Sequence, residues 1–256
     1  MQNIIKILPA FLLLVSVACA QKLPKVQTSS VWAPADIKID GKTTEWNDHF
    51  QAHNQPNHMY YTLSNDDDNL YLTVRMDDKQ GDAKIFKGGL TFTIIPLDKK
   101  ATRISVTFPV ISKEKGDKMQ DGGDIRLIDS LTSSSNNGLT NTYKEIYVTG
   151  ITEISDPIQS IYNAQGIRVG GSLEKNRRYT YELAIPLKYL ESAINNVKSI
   201  RYNIRLNAET IAIKNRAPYS GPVLVFGPPV APESIDDLFN SEDSDFSGVY
   251  ILALKP

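Results

Sequence analysis

Apolar and polar side chains change places at every residue over six stretches of this chain, and that pattern limits the folds open to it. Met59, Tyr61 and Leu63 alternate with Tyr60 and Thr62, while Leu70, Leu72, Val74 and Met76 alternate with Tyr71, Thr73 and Arg75. Residues 90–94, 103–108, 179–185 and 201–206 follow the same rule. Successive strand side chains point to opposite faces, so each stretch carries one apolar and one polar face. Such strands belong to antiparallel sheets that bury one face against each other. A parallel sheet would need continuous apolar runs and intervening amphipathic helices, and the sequence has neither. The pattern predicts an all-β fold: a two-sheet antiparallel β-sandwich, jelly-roll or immunoglobulin-like, with one short helix.

The punctuation agrees. Asn65-Asp66-Asp67-Asp68-Asn69 separates two alternating runs, and its short side chains can bond their own backbone in a tight turn. Asp98-Lys99-Lys100 does the same less distinctly. Pro186 closes one strand, and residues 187–194 (LKYLESAI) are expected to form the short helix over an open end. KEKGDKMQDGGD (113–124), LTSSSNNGLTN (131–141) and GPPVAPES (227–234) read as surface loops. The apolar run 248–254 is expected to be the last strand.

The first twenty residues stand apart. MQNIIKILPAFLLLVSVACA has one charge, Lys6, before an apolar run too short to span a bilayer, and small residues follow at Ala18-Cys19-Ala20. This is a secretory signal, residues 1–20, followed by a single ligand-binding β-sandwich domain over 21–256. The expected location is secreted or periplasmic. The alternative is an outer-membrane lipoprotein, lipid-anchored at Cys19, the chain's one cysteine. No second apolar run approaches membrane-spanning length. Lys and Arg number 28 against 29 Asp and Glu, without a basic stripe, which leaves binding to nucleic acid unsupported.

Three ordered stretches resemble a known superfamily. IKIDGKTTEWND (37–48) resembles the IDG-x-x-x-EW opening of family-9 carbohydrate-binding modules and the wider DOMON-like sandwiches. NDDDNLYLTVRMDD (65–78) is similar to their D-D-x-N-L-Y hairpin. YTYELAIPLKYL (179–190) is similar to their Y-x-x-E-x-x-I-P-x-x-x-L strand and helix. The resemblance, which extends to standalone exported proteins of Bacteroidetes, implies a two-sheet sandwich that binds a sugar, haem or another small ligand. One departure is plain. Sugar-binding members hold a glycan end between two tryptophans, whereas this chain has only Trp32 and Trp46, the latter inside the EW motif.

Candidate chemistry is sparse. All three histidines, His49, His53 and His58, fall in HFQAHNQPNHMYY (49–61), beside Asn54-Gln55-Pro56-Asn57, which favours a loop leading into a strand over a metal centre. Axial haem ligands approach iron from opposite sides, and histidines on one short segment suit that poorly. Met76 or Met119 could pair with His58 only if distant loops met. The acids at 66–68 and in SIDDLFNSEDSDFSG (234–248) are the oxygen ligands a structural calcium would take, without an EF-hand pattern. No cofactor is expected. A G-x-S-x-G elbow and a phosphate-cradling loop are both missing, so a non-catalytic protein is expected. Trp32, Tyr60, Tyr71, Arg75, Glu182, Asn203 and Arg205 are the candidate ligand-binding residues, because rings beside carboxylate, amide and guanidinium groups suit a sugar. Glu182 lies on the polar side of its strand, and if the 201–206 strand is its neighbour, a cross-strand ion pair would be its ordinary role. The expected function is an exported carbohydrate-binding-like module, accessory to glycan capture or degradation. The alternatives are a haem-binding DOMON-like cytochrome and an envelope scaffold that binds a partner protein.

Overall fold

The alternating stretches become strands. The structure, a computed structural model, describes residues 22–77, 84–85, 88–110, 139–174, 178–208 and 243–256. In chain order the strands are β1 (Ala52–Asn54), β2 (Met59–Asn65), β3 (Asn69–Met76), β4 (Leu90–Ile95), β5 (Ile104–Phe108), β6 (Glu145–Thr149), β7 (Ile158–Ser160), β8 (Arg168–Leu173), β9 (Tyr179–Pro186), β10 (Ser199–Leu206) and β11 (Ser244–Ile251). A five-stranded sheet has the order β1-β2-β3-β9-β8, and a six-stranded sheet the order β11-β10-β4-β5-β6-β7. Every strand pairing is antiparallel. The fold is therefore the expected all-β, two-sheet sandwich.

The apolar half of the alternation makes a single core between the sheets. Tyr61, Leu63, Leu72, Val74, Tyr181 and Leu183 of one sheet meet Phe92, Ile94, Val106, Tyr202 and Ile204 of the other. Each such aliphatic or Phe side chain contributes about 1.5–3 kcal/mol on leaving water. Two of the buried tyrosines join hydroxyls across the core, Tyr61 to Tyr202 at 3.0 Å. Tyr61 also accepts the Gln27 backbone N–H at 2.9 Å.

Chain punctuation is mostly as expected. Asp66 Oδ1 accepts the backbone N–H of Asp68 and Asn69, closing the β2–β3 hairpin. The histidine stretch is a connection, but it holds the short strand β1, which includes His53. Residues 187–194, expected to be one short helix, form two short 3₁₀ helices, Leu187–Tyr189 and Glu191–Ala193. Leu187, Leu190 and Ala193 recur every third residue and face the core together, which suits the three-residue turn. A short α-helix at Leu139–Thr142 overlaps the end of the 131–141 segment expected to be a loop. The signal segment, the 113–124 and 227–234 loops, Met119 and the start of the 234–248 acidic run lie outside the described residues.

Residues 31–50 give the sandwich a third layer. They start beside β2, where Ala33 N–H donates to Asn65 O and Asn65 N–H to Val31 O. They then cross the outer face of the five-stranded sheet. Gly41, at φ +82°, passes so close to β8 that a Cβ on it would lie 2.7 Å from the Gly171 backbone. A Cβ on Gly170 would lie 2.6 Å from Gly41 N. Glycine in a strand often marks such an approach, and here both chains supply it. This strap seals the face with Ala33, Ile37 and Ile39 packed against Tyr71 and Ala184.

Candidate functional site

The strap decides which side chains of the five-stranded sheet meet solvent. On the five-stranded sheet, Thr62, Thr73, Glu182 and Gly170 form one row across the outward face, and Ser64, Tyr71, Ala184 and Arg168 the next. An ordinary sandwich would leave these positions in water. Here Thr62, Ser64, Tyr71, Thr73 and Glu182 are all buried. Glu182 is wholly inaccessible, and its Oε2 accepts the backbone N–H groups of Asp40 at 3.0 Å and Gly41 at 2.9 Å. Burial pushes its carboxyl up to about 8, against the pull of those two donors. The condition for a cross-strand pair with the 201–206 strand is not met at Glu182: β9 pairs with β3 and β8, while Arg201, Asn203 and Arg205 stand in the other sheet. The residue fastens the IDG turn and makes no cross-strand ion pair with them.

The other candidates on this side are also engaged by the strap or its neighbours. The Tyr71 hydroxyl donates to Asp66 Oδ2 at 2.5 Å, and burial followed by the Asp66 carboxylate raises its pKa to about 12. Arg75 bonds Asp48 at 3.1 Å and Asp77 at 3.2 Å, and its guanidinium lies over Phe50 and Tyr60. A hydrogen bond from Thr43, then the charges of Arg75 and Arg178, hold the Asp48 carboxyl below its usual range despite partial burial. Tyr60 is capped on its other side by His53, with parallel rings 4.0 Å apart. Burial is the main cause of the lowered His53 pKa, aided by His58 and Lys22. Half-buried Trp32 bridges Asn65 at the start of the strap. Met59 and Met76 sit opposite each other across β2 and β3 with no exposure, so neither thioether is open to a group bound outside the sandwich.

Asn203 and Arg205 lie elsewhere, on the outer face of the six-stranded sheet. No strap crosses it among the described residues, and it forms a shallow groove of about 960 Å³. Register places the side chains in rows. Ser247, Asn203, Thr93, Ser105 and Thr149 make the first, and Asp245, Arg205, Thr91, Thr107 and Tyr147 the second. Hydroxyls pair along the floor, Thr91 with Thr107 at 2.7 Å and Thr93 with Ser105 at 2.9 Å. At one end Asn207 bonds Thr91 at 2.9 Å and Arg205 lies 3.6 Å from Asp243. At the other, Ile95 and Arg103 lead into a smaller recess. Sheet, turn and strap thus divide the seven candidates: Asn203 and Arg205 line the groove, and the other five do not.

Sequence reasoning missed Thr91, Thr93, Ser105, Thr107 and Tyr147 as lining residues. Their signal was the polar half of the 90–94 and 103–108 alternation. Threonine and serine there are as ordinary for an exposed strand as for a site. Among the described residues no group of three His, Cys, Asp or Glu is placed to hold a metal ion, and no helix is long and apolar enough to cross a membrane. Comparison with known proteins gives no matching family model and no matching curated sequence.

Proposed function

We propose that this protein is an exported, non-catalytic carbohydrate-binding module of the family-9 and DOMON-like kind, and that its ligand lies along the outer face of the six-stranded sheet. The observation that carries the reading is the groove over β10, β4, β5 and β6. It runs across these four strands and is floored by paired hydroxyls. Amide, guanidinium and carboxylate groups stand at Asn203, Arg205 and Asp245, with one ring, Tyr147, at the side. Sugar hydroxyls are donors and acceptors together, and planar polar groups satisfy both at once. The C–H face of a sugar packs on a phenol ring. The strap supports the family reading as well, because the IDG turn and the strand glutamate of the motif are partners in it. A labelled, purified protein on a glycan array, backed by calorimetry, tests the proposal. Binding to at least one glycan series is expected, with a tenfold or greater loss in the N203A/R205A variant. No binding across plant, host and bacterial glycans would defeat it.

A further inference from the structure

The recess at the far end of the groove has a chemistry of its own. It holds about 290 Å³ between Ile95–Pro96, the 98–101 turn and Arg201. Arg201 pairs with Ile95 across β10 and β4, and Arg103 follows directly before the Ile104–Ile94 pair, so two guanidinium groups flank one isoleucine. Lys99 adds a third cation from the turn. Arg201 is fixed by a hydrogen bond from its Nη2 to Pro96 O, while its Nε is buried without a partner. Only one acid, Asp98, lines the recess, and its Oδ1 already accepts the Lys100 backbone N–H at 2.9 Å, which holds the turn closed. Among the described residues neither Lys99, Arg103 nor Arg201 makes an ion pair. This contrasts with Arg75, Arg178 and Arg205, each of which has a carboxylate within 4.0 Å.

We propose that this recess is an anion subsite continuous with the groove, and that the ligand is an acidic glycan whose carboxylate or sulfate group is held by Arg103, Arg201 and Lys99. The proposal rests on the sugar-binding reading and deepens it. Ile95 and Arg103 border both cavities, so the hydroxyl floor and the recess are contiguous. Guanidinium forks match the two oxygens of a carboxylate or sulfate, and these charge-assisted bonds are the strong ones. A neutral glycan would leave three cations facing one acid.

Affinity electrophoresis and calorimetry with three polymers test this: polygalacturonate for carboxylate, dextran sulfate for sulfate, and dextran as the neutral control. The purified full protein is compared with R103Q, K99Q/R103Q and K255Q. Lys255 is an exposed lysine ion-paired with Asp67 on the opposite sheet's hairpin and serves as the control for general charge loss. One acidic polymer at least should bind over tenfold more tightly than dextran, weaken about tenfold or more in R103Q and further in the double variant, and be unchanged in K255Q. The preferred acidic polymer identifies the group. Equal weakening in K255Q, or acidic binding indifferent to Arg103, overturns the subsite. So does neutral binding as tight as acidic, although the sugar-binding groove then survives. Failure of these polymers and of the whole glycan array removes both.

Discussion

The buried latch at Glu182 makes the protein's stability depend on pH in a direction opposite to that of most carboxylates. Its ordinary pKa of 4.5 governs the unfolded chain, whereas burial raises the folded value to about 8, with Asp40 and Glu45 pushing the same way. The folded state therefore holds this proton more tightly than the unfolded state. Its contribution is present in full below about pH 4.5 and is lost as pH rises towards 8. Each unit of difference corresponds to about 1.4 kcal/mol, so between pH 5 and pH 7.5 the group alone should remove about 3 kcal/mol from wild type. For a domain of this size that is roughly 6–12 °C in melting temperature. Glu182→Gln keeps an oxygen for the Asp40 and Gly41 N–H groups and cannot ionise. Melting curves for both proteins at pH 5, 6, 7 and 7.5 should converge at acid pH and separate as pH rises, the variant becoming relatively more stable. A difference that stays constant to within about 1 kcal/mol over that interval would refute the reasoning, because the carboxyl would then titrate alike in both states.

Two further substitutions probe how the third layer is held. Gly170→Ala sets a methyl group 2.6 Å from Gly41 N and 2.8 Å from Ile39 C, both rigid backbone. Overpacking of this kind costs about 1–3 kcal/mol, and a fall of several degrees in melting temperature together with faster proteolysis in residues 31–50 is expected. Gln27→Ala removes an amide that accepts Leu63 N–H at 2.7 Å and donates to Leu63 O at 2.8 Å, much as a neighbouring strand would. With two buried groups on β2 left without that partner, urea denaturation should show a loss of about 2 kcal/mol or more at unchanged m-value.

Much of the fold could be read from the chain because period two is a strong signal over five to seven residues. β2, β3, β4, β5, β9 and β10 begin and end within two residues of the alternating runs. β1 and β7, three residues each, are too short to show a period. The site was less legible, for two physical reasons. Polar residues on an alternating strand normally mean water, so Tyr71 and Glu182 read as surface, yet the strap excludes solvent from them. The available warning was Gly170-Gly171 in β8 together with the IDG glycine, since paired glycines permit two backbones to touch. Sheet membership was the second obstacle. β9 and β10 are adjacent in sequence, but the 3₁₀ turns at Leu187–Ala193 carry the chain from one sheet to the other. Alternation is the same in either sheet, so nothing in it separates Glu182 from Asn203.

The strap also governs how this molecule can change. A substitution beneath it disturbs three layers at once, so that side of the sandwich is bound to its present sequence. On the face that no described residue straps, Thr93, Ser105 and Thr149 are only half-buried, and replacements at such positions usually move stability by no more than about 0.5 kcal/mol. The strapped face is thus committed to keeping the shape, while the outer face of the six-stranded sheet can change its side chains with the shape kept.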